Sequence, residues 1–338
     1  MTHATVVGTT SWGTTLAILL ARRGAPVPLL ARSGDEAGIL ARDRENHRLL
    51  PGALFPDSLS PSADAGAALD GADLVVLGMP AQRLRENLSA LRGHINDQTV
   101  LLSAIKGLEH DTGLPMTHVI QEELPDVAEG RIAVLSGPNF AREVVEDKPS
   151  STVIACQDPA VAEWVQELYN SPTFRVYTND DVVGVELGGA LKNAIAIAAG
   201  ISDGLGYGAN AKAALVTRGL AEITRLGVAC GAKPLTLAGL SGLGDMAATC
   251  FSNLSRNRYV GEQVGEGVPL AEVLEGMVHV AEGVDTIAAA LLLAQRHGIE
   301  MPITEMTARI LFDGVGPREA TSYLLNRAPG QEWPTELS

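Results

Sequence analysis

A lysine–asparagine dyad inside an apolar helical run constrains this chain more than any other feature. The run is Val185-Glu186-Leu187-Gly188-Gly189-Ala190-Leu191-Lys192-Asn193, continuing Ala194-Ile195-Ala196-Ile197-Ala198-Ala199-Gly200. An ammonium group in such a setting is expensive to bury unless it is paired. Burial also lowers a lysine pKa readily, which turns the side chain into an acid or base near neutral pH. A lone lysine here also reads as a surface residue that lays its stem on the apolar face. The other polar motifs of the chain bear on that choice.

Composition sets outer limits. The chain has 338 residues, 46% hydrophobic and 19% charged, which suits a globular protein of roughly two domains. The formal net charge of −15 disfavours a nucleic-acid partner or an anionic membrane surface. A phosphorylated substrate then requires a local concentration of cations. Cys156, Cys230 and Cys250 lie far apart without metal-ligand spacing, so no metal is expected and a reducing cytoplasm is the simplest setting. No signal-peptide layout opens the chain, and Glu186 and Lys192 interrupt the best candidate for an integral membrane segment.

The first half alternates strand and helix patterns. Strands are predicted at 4–8, 27–31, 73–78, 99–103, 132–135 and 152–155, with a helix over 12–23. Pro26 and Pro28 are awkward in a central strand. The succession implies an α/β fold with a parallel, doubly wound Rossmann-type sheet. Beyond Asp180 long Ala/Leu/Ile/Gly-rich helical patterns take over at 181–201, 209–229, 269–276 and 281–297. The expected division is a dinucleotide-binding domain over 1–179 and an all-helical substrate and catalytic domain over 180–330.

The first strand runs into Gly8-Thr9-Thr10-Ser11-Trp12-Gly13. Gly8 and Gly13 match the first and third glycines of the dinucleotide fingerprint, whereas Thr10 replaces the second. The amides of Ser11 and Trp12 remain placed to hold phosphate at a helix start. An acidic residue after the second strand would favour NAD; this chain has Arg32-Ser33 instead, and Asp35 and Glu36 lie slightly too late. A guanidinium suits a 2′-phosphate, so NADPH is the preferred cofactor, with NADH possible.

Four further clusters carry polar groups in glycine-rich or helix-start settings. They are Ser103-Ala104-Ile105-Lys106-Gly107, Leu135-Ser136-Gly137-Pro138-Asn139-Phe140-Ala141, Gly239-Leu240-Ser241-Gly242-Leu243-Gly244-Asp245 and Ser255-Arg256-Asn257. Each alone reads as a turn with a cap. Lys106 and the Gly137 loop follow predicted strands, the end of an open α/β sheet where ligands sit.

The chain resembles bacterial-type NAD(P)H-dependent glycerol-3-phosphate dehydrogenases from about residue 4 to about residue 312. The resemblance is carried by Gly-Val-Glu-Leu-Gly-Gly-Ala-Leu-Lys-Asn (184–193), Gly-Leu-Gly-Asp (242–245), Ser-Arg-Asn (255–257) and Val-Ala-Glu-Gly-Val (280–284), with Lys106-Gly107 and Ser136-Gly137-Pro138. It implies a Rossmann-type domain, a helical domain and a homodimer. It implies interconversion of dihydroxyacetone phosphate and sn-glycerol 3-phosphate, which supplies glycerophospholipid synthesis. It implies Lys192 as the proton-transfer residue, with Lys106, Asn193 and Asp245 beside it. The implied substrate contacts are Lys106, Gly137, Asn139, Lys192, Asp245, Ser255, Arg256 and Asn257. The implied cofactor contacts are Ser11, Trp12, Arg32, Ser33, Lys106, Ala141, Arg256, Val280 and Glu282.

The residue types suit that chemistry. A protonated Lys192 can give its proton to the carbonyl oxygen while Arg256 grips the phosphate by charge-assisted hydrogen bonds. Three positions depart from the family pattern: Thr10 stands for a glycine, Asn139 for Ser or Thr, and Ala209 for an acidic residue. Two rival readings remain. One is a related hydroxyacid or 6-phosphogluconate-type dehydrogenase, in which lysine and asparagine are separated by about a turn. The other is a dinucleotide-binding sensor or partner protein without catalysis.

Overall fold

The computed structural model describes residues 2–277, 281–328 and 331–332. Eight strands form one sheet in the order β3-β2-β1-β4-β5-β6-β7-β8. They are β1 (Ala4–Val7), β2 (Val27–Leu30), β3 (Leu59–Ser62), β4 (Leu74–Leu77), β5 (Val100–Ser103), β6 (Ile132–Ser136), β7 (Ser150–Cys156) and β8 (Phe174–Asn179). The helices of this half are α1 (Ser11–Ala21), α2 (Gly34–Asp43), α3 (Ala65–Leu69), α4 (Leu84–Leu91), α5 (Met116–Glu123), α6 (Ala141–Val145) and α7 (Pro159–Tyr169). Both faces of the sheet are covered, which is why its central strands are apolar without alternation. On β4, Leu74 and Val76 enter the core that also holds Leu16, Ile18 and Val165. Val75 and Leu77 enter the opposite core, with Leu84, Leu88 and Ile120.

The sheet departs from a wholly parallel one at a single pairing. β7 runs antiparallel to β6, with Leu135 opposite Ile154. A parallel return needs a crossover of a dozen or more residues, usually through a substantial helix. Here the connection holds only the five-residue α6. Pro28 is accommodated because the pairing of β2 with β1 begins only at Leu29. Its missing N–H therefore costs no ladder bond on that side.

The second half is helical: α8 (Val182–Gly204), α9 (Ala209–Ala229), α10 (Pro234–Leu237), α11 (Asp245–Phe251), α12 (Arg256–Gly265), α13 (Leu270–Glu275), α14 (Glu282–His297), α15 (Pro302–Phe312) and α16 (Pro317–Leu325). Helix α8 is the axis, buried from Gly184 to Ser202. It is the one described helix long and apolar enough to cross a membrane, but its apolar window is enclosed by protein. Its neighbours supply Val216, Ile223, Leu237, Met246, Ala290 and Leu293.

Glycines set how closely α12 approaches α8. A Cβ on Gly200 would lie 2.0 Å from the Arg258 carbonyl oxygen, and one on Gly261 would lie 2.0 Å from that of Ile197. Gly204 and Gly265 extend the contact one turn on, so both helices carry a small-xxx-small face and pack backbone on backbone. The contact fixes the start of α12 beside the middle of α8, where Lys192 and Asn193 stand. Valine at position 261 has no flexible neighbour to displace. Gly261→Val should destabilise the protein by about 3 kcal/mol, the upper end of ordinary overpacking. A urea unfolding midpoint unchanged from that of the native chain would contradict this packing.

Candidate active site

Asp245 is the centre of the site. The π-helical turn Leu240–Gly244 delivers it to the first position of α11. That turn sits tightly against the body, since a Cβ on Gly242 would lie 1.9 Å from the Leu237 carbonyl oxygen. Two ammonium groups share the buried carboxylate. Lys192 Nζ lies 2.9 Å from Oδ1, and Lys106 Nζ lies 2.7 Å from Oδ2. Lys192 also donates to Thr249 Oγ1 at 2.5 Å, and Thr249 Oγ1 donates to the Asp245 carbonyl at 2.6 Å. Lys106, three residues beyond β5, donates to the Gly137 carbonyl at 2.8 Å.

Burial pushes Lys192 down to about 8; Asp245 opposes the shift and Lys106 adds to it. The group therefore changes charge close to neutrality. Gly189 on α8 makes room for the end of β6, because a Cβ there would lie 2.2 Å from Ser136 Oγ. Lys192 is thereby brought against the strand end that carries the Gly137 loop.

A chain of amides holds the neighbouring asparagine. Asn193 Nδ2 donates to the Lys106 carbonyl at 3.1 Å. Its Oδ1 accepts from Asn257 Nδ2 at 2.8 Å, and Asn257 Oδ1 accepts from the Gly283 amide at 3.0 Å. Asn257 thus positions Asn193 with one of its two Nδ2 hydrogens, and the other is not engaged by any hydrogen bond among the described residues. Ser255 is the N-cap of α12, its hydroxyl accepting from the Arg258 amide at 3.2 Å. Arg256, between them, is exposed at the first turn of the same helix. Asn139 donates to the Ser151 carbonyl at 2.9 Å, while its buried Oδ1 has no partner. One of its two donor hydrogens is therefore already engaged. Ala209 opens α9 after the N-cap Gly208.

The nucleotide end of the sheet fits a dinucleotide. Gly8 has φ +105°, a conformation that favours glycine. A Cβ on Gly13 would lie 2.2 Å from the Gly8 carbonyl oxygen, so the α1 start presses onto β1. Thr10 is the N-cap of α1: its Oγ1 accepts from the Gly13 amide at 3.0 Å and donates to the Gly78 carbonyl. The substituted threonine ties the loop to the end of β4 instead of loosening it. The first amides of a helix have no partner within it, which leaves Ser11 and Trp12 N–H for phosphate. Ala141 begins α6 and receives Thr15 Oγ1 on its carbonyl at 3.4 Å. Glu282, at the start of α14, accepts from the Ala81 amide at 3.4 Å, and burial pushes its carboxyl up to about 7. Val280 lies outside the described residues.

The sequence reading missed three features here. Thr249 is one helical turn from Asp245, a spacing that places both on one face. The hydrogen bond of Asn257 to Asn193 has no sequence signal, because the two residues are 64 apart and meet only where α12 packs on α8. Glu36, which looked too late in the chain, reaches back: its carboxylate accepts from the Thr9 hydroxyl at 2.8 Å and from Arg32 Nε at 3.1 Å.

Two family models cover most of the chain. NAD-dependent glycerol-3-phosphate dehydrogenase N-terminus matches residues 3–162, and NAD-dependent glycerol-3-phosphate dehydrogenase C-terminus matches residues 181–322. This chain belongs to the glycerol-3-phosphate dehydrogenase family. A glycerol-3-phosphate dehydrogenase [NAD(P)+] of Chlorobium phaeobacteroides is 48% identical over 97% of this chain and 98% of its own length. Its counterpart from Anaeromyxobacter dehalogenans is 48% identical over 96% of this chain and 98% of its own length. The crystal structure of glycerol-3-phosphate dehydrogenase from Coxiella burnetii superposes with a TM-score of 0.92. It is 38% identical and covers 96% of this chain and 99% of that one. The chain is an NAD(P)-dependent oxidoreductase of this family, and the Rossmann-type sheet followed by helices is the family's fold.

Thr10 supplies the testable feature of the nucleotide loop. Removing its hydroxyl leaves the Gly13 amide without its cap, so Thr10→Ala should cost about 1 kcal/mol of stability. Denaturant unfolding of both proteins measures it; equal midpoints would mean that the cap contributes nothing.

Proposed function

We propose that Lys192 transfers the proton when the chain interconverts dihydroxyacetone phosphate and sn-glycerol 3-phosphate with NAD(P)H. One observation carries the reading: two ammonium groups, one buried and one mostly covered, converge on the single buried carboxylate of Asp245. The bound nicotinamide supplies the hydride that C2 of the ketone receives. Protonated Lys192 gives its proton to the carbonyl oxygen, and neutral Lys192 takes it back in the oxidative direction. Asp245 and Thr249 aim the ammonium. Lys106, held by Asp245 and the Gly137 carbonyl, adds positive charge where the oxygen becomes negative. Asn193, fixed through Asn257, defines the other wall of the site.

Arg256 grips the substrate phosphate at the start of α12, where helix amides also favour an anion. That grip sets which carbon faces the nicotinamide. Residues 1–179 hold the cofactor and residues 180–330 most of the substrate machinery. Ser11 and Trp12 take the pyrophosphate, with Gly8 and Gly13 giving it room. Arg32 and Ser33 take the adenosine 2′-phosphate of NADPH, the preferred cofactor. A homodimer belongs to this reading and is supported by the exposed Leu235, Phe312, Tyr323 and Leu325 of the helical half. So does a cytoplasmic setting, supported by three free cysteines. The supply of glycerol 3-phosphate to glycerophospholipid synthesis follows from the same activity. A sensor without catalysis would have no use for the buried charged cluster, which costs stability to maintain.

Lys192→Met should lower NADPH oxidation with dihydroxyacetone phosphate by about 10²–10⁴-fold, as for other acid–base groups, while cofactor binding persists. Near-native turnover in the folded variant would remove Lys192 from the mechanism. The titration near pH 8 has a sign in each direction. Reduction of the ketone should decline as pH rises through about 8, because the ammonium is the acid. Oxidation of glycerol 3-phosphate should rise over the same interval. Parallel pH profiles in the two directions would contradict the assignment.

Arg256→Ala should weaken dihydroxyacetone phosphate far more than unphosphorylated dihydroxyacetone. Equal losses in kcat/KM for both ketones would show that Arg256 does not read the phosphate. Arg32→Ala should lower the NADPH-to-NADH ratio of kcat/KM by about ten-fold, the scale of one charge-assisted hydrogen bond. An unchanged ratio would remove Arg32 from the choice of cofactor.

A further inference from the structure

The first turn of α2 carries an arrangement that the phosphate-binding role of Arg32 does not explain. Ser33-Gly34-Asp35-Glu36 has the spacing of a capping box, and Ser33 Oγ accepts from the Glu36 amide at 3.2 Å. In such a box the glutamate returns to the amide of the capping serine. Glu36 does not. Its Oε2 accepts from the Arg32 amide at 3.3 Å and from Arg32 Nε at 3.1 Å, and its Oε1 accepts from the Thr9 hydroxyl at 2.8 Å. The carboxylate therefore spans the ends of β1 and β2, next to the glycine-bounded loop.

Thr9 is itself anchored there. Asn46 Nδ2 donates to the Thr9 carbonyl at 2.8 Å and to Thr14 Oγ1 at 3.0 Å. Exposure separates the two charged partners: the Arg32 side chain is 74% exposed and that of Glu36 22%. The carboxylate is the covered member of the pair and the guanidinium the exposed one.

We propose that Glu36 is a cofactor-selectivity residue that opposes Arg32 and keeps the chain open to both NADH and NADPH. The inference rests on the reading that the adenosine ribose lies at the ends of β1 and β2. A carboxylate offers about four acceptor positions, and three donors occupy Glu36. The remaining position suits the 2′-hydroxyl of NADH. A 2′-phosphate on NADPH instead meets a like charge, and Arg32 must leave Glu36 to pair with it. The arginine thus favours NADPH while its own ion-pair partner subtracts from that preference.

The test reads binding rather than turnover. The native chain, Glu36→Gln, Glu36→Ala and Arg32→Ala are each titrated calorimetrically with adenosine 2′,5′-bisphosphate and with 5′-AMP. Glu36→Gln should shift the ratio of the two dissociation constants toward the bisphosphate by about five-fold at low salt, and by less at high salt. Glu36→Ala should shift it in the same direction, which guards against an effect peculiar to glutamine. If both Glu36 variants keep the native ratio, the proposal is overturned. The Arg32→Ala arm separates that outcome from a failure of the underlying reading. If Arg32→Ala moves the ratio and the Glu36 variants do not, only the role of Glu36 falls. If none moves it, the ribose does not lie here and both assignments fall.

Discussion

One carboxylate shared by two ammonium groups is the interaction on which the site depends. Asp245 is buried, and so is Lys192, while Lys106 is mostly covered. Two cations against one anion leave the cluster one positive charge in excess, in a protein whose formal net charge is −15. A buried charge imbalance is costly, and its natural complement is an anion brought by the substrate. Burial brings Lys192 down to about 8 against the attraction of Asp245, and Lys106 adds to the shift. Without Asp245 the two ammonium groups would repel each other with nothing between them. Without Lys106 the carboxylate would hold Lys192 alone, as a tighter pair and a weaker acid.

The geometry that brings these groups together is paid for in glycine. Lys106 and the Gly137 carbonyl come from the sheet, Lys192 from α8, and Asp245 from a π-helical turn. Gly189 lets α8 approach the end of β6, Gly188 lets it approach the π-turn, and Gly200 with Gly261 lets α12 lie against its backbone. Each close approach moves a polar side chain toward a common point. Gly188 and Gly189 thus help to place Lys192, four and three residues further along the chain. Interior helical glycine costs up to about 1 kcal/mol relative to alanine, so its recurrence in a core helix indicates that proximity outweighs propensity.

Much of this was legible in the sequence where a residue's role is local. The β1-to-α1 unit, β4, β5, β6 and the long α8 and α9 were placed within a few residues, because strong apolar periodicity fixes them. β3 was not. Its Leu-Ser-Pro-Ser sequence has no strand signature, and it exists because β2 offers a ladder to pair with. The reversed direction of β7 was equally hidden, since direction belongs to the connection and not to the strand. In the site, the meeting of Lys106, Lys192 and Asp245 followed the family resemblance, whereas the inward commitment of Asn257 needed coordinates. An asparagine beside an exposed arginine carries no sequence signal of burial; only the approach of α12 to α8 turns it toward Asn193.

That inward turn couples two functions that sequence separates. Arg256 and Asn257 are adjacent on the first turn of α12. Arg256 is exposed and charged; Asn257 is buried and joins Asn193 to the Gly283 amide at the start of α14. Asn193 in turn bonds the Lys106 carbonyl, so the start of α12 and the Lys106–Asp245–Lys192 cluster share one hydrogen-bonded path. Each amide on that path has a hydrogen-bond partner, and a connected buried network rigidifies what it joins. The first turn of α12 is therefore tied to the Lys106 carbonyl through Asn257 and Asn193. The relative placement of Arg256 and Lys192 then follows from the backbone contact of two helices, set by Gly200 and Gly261.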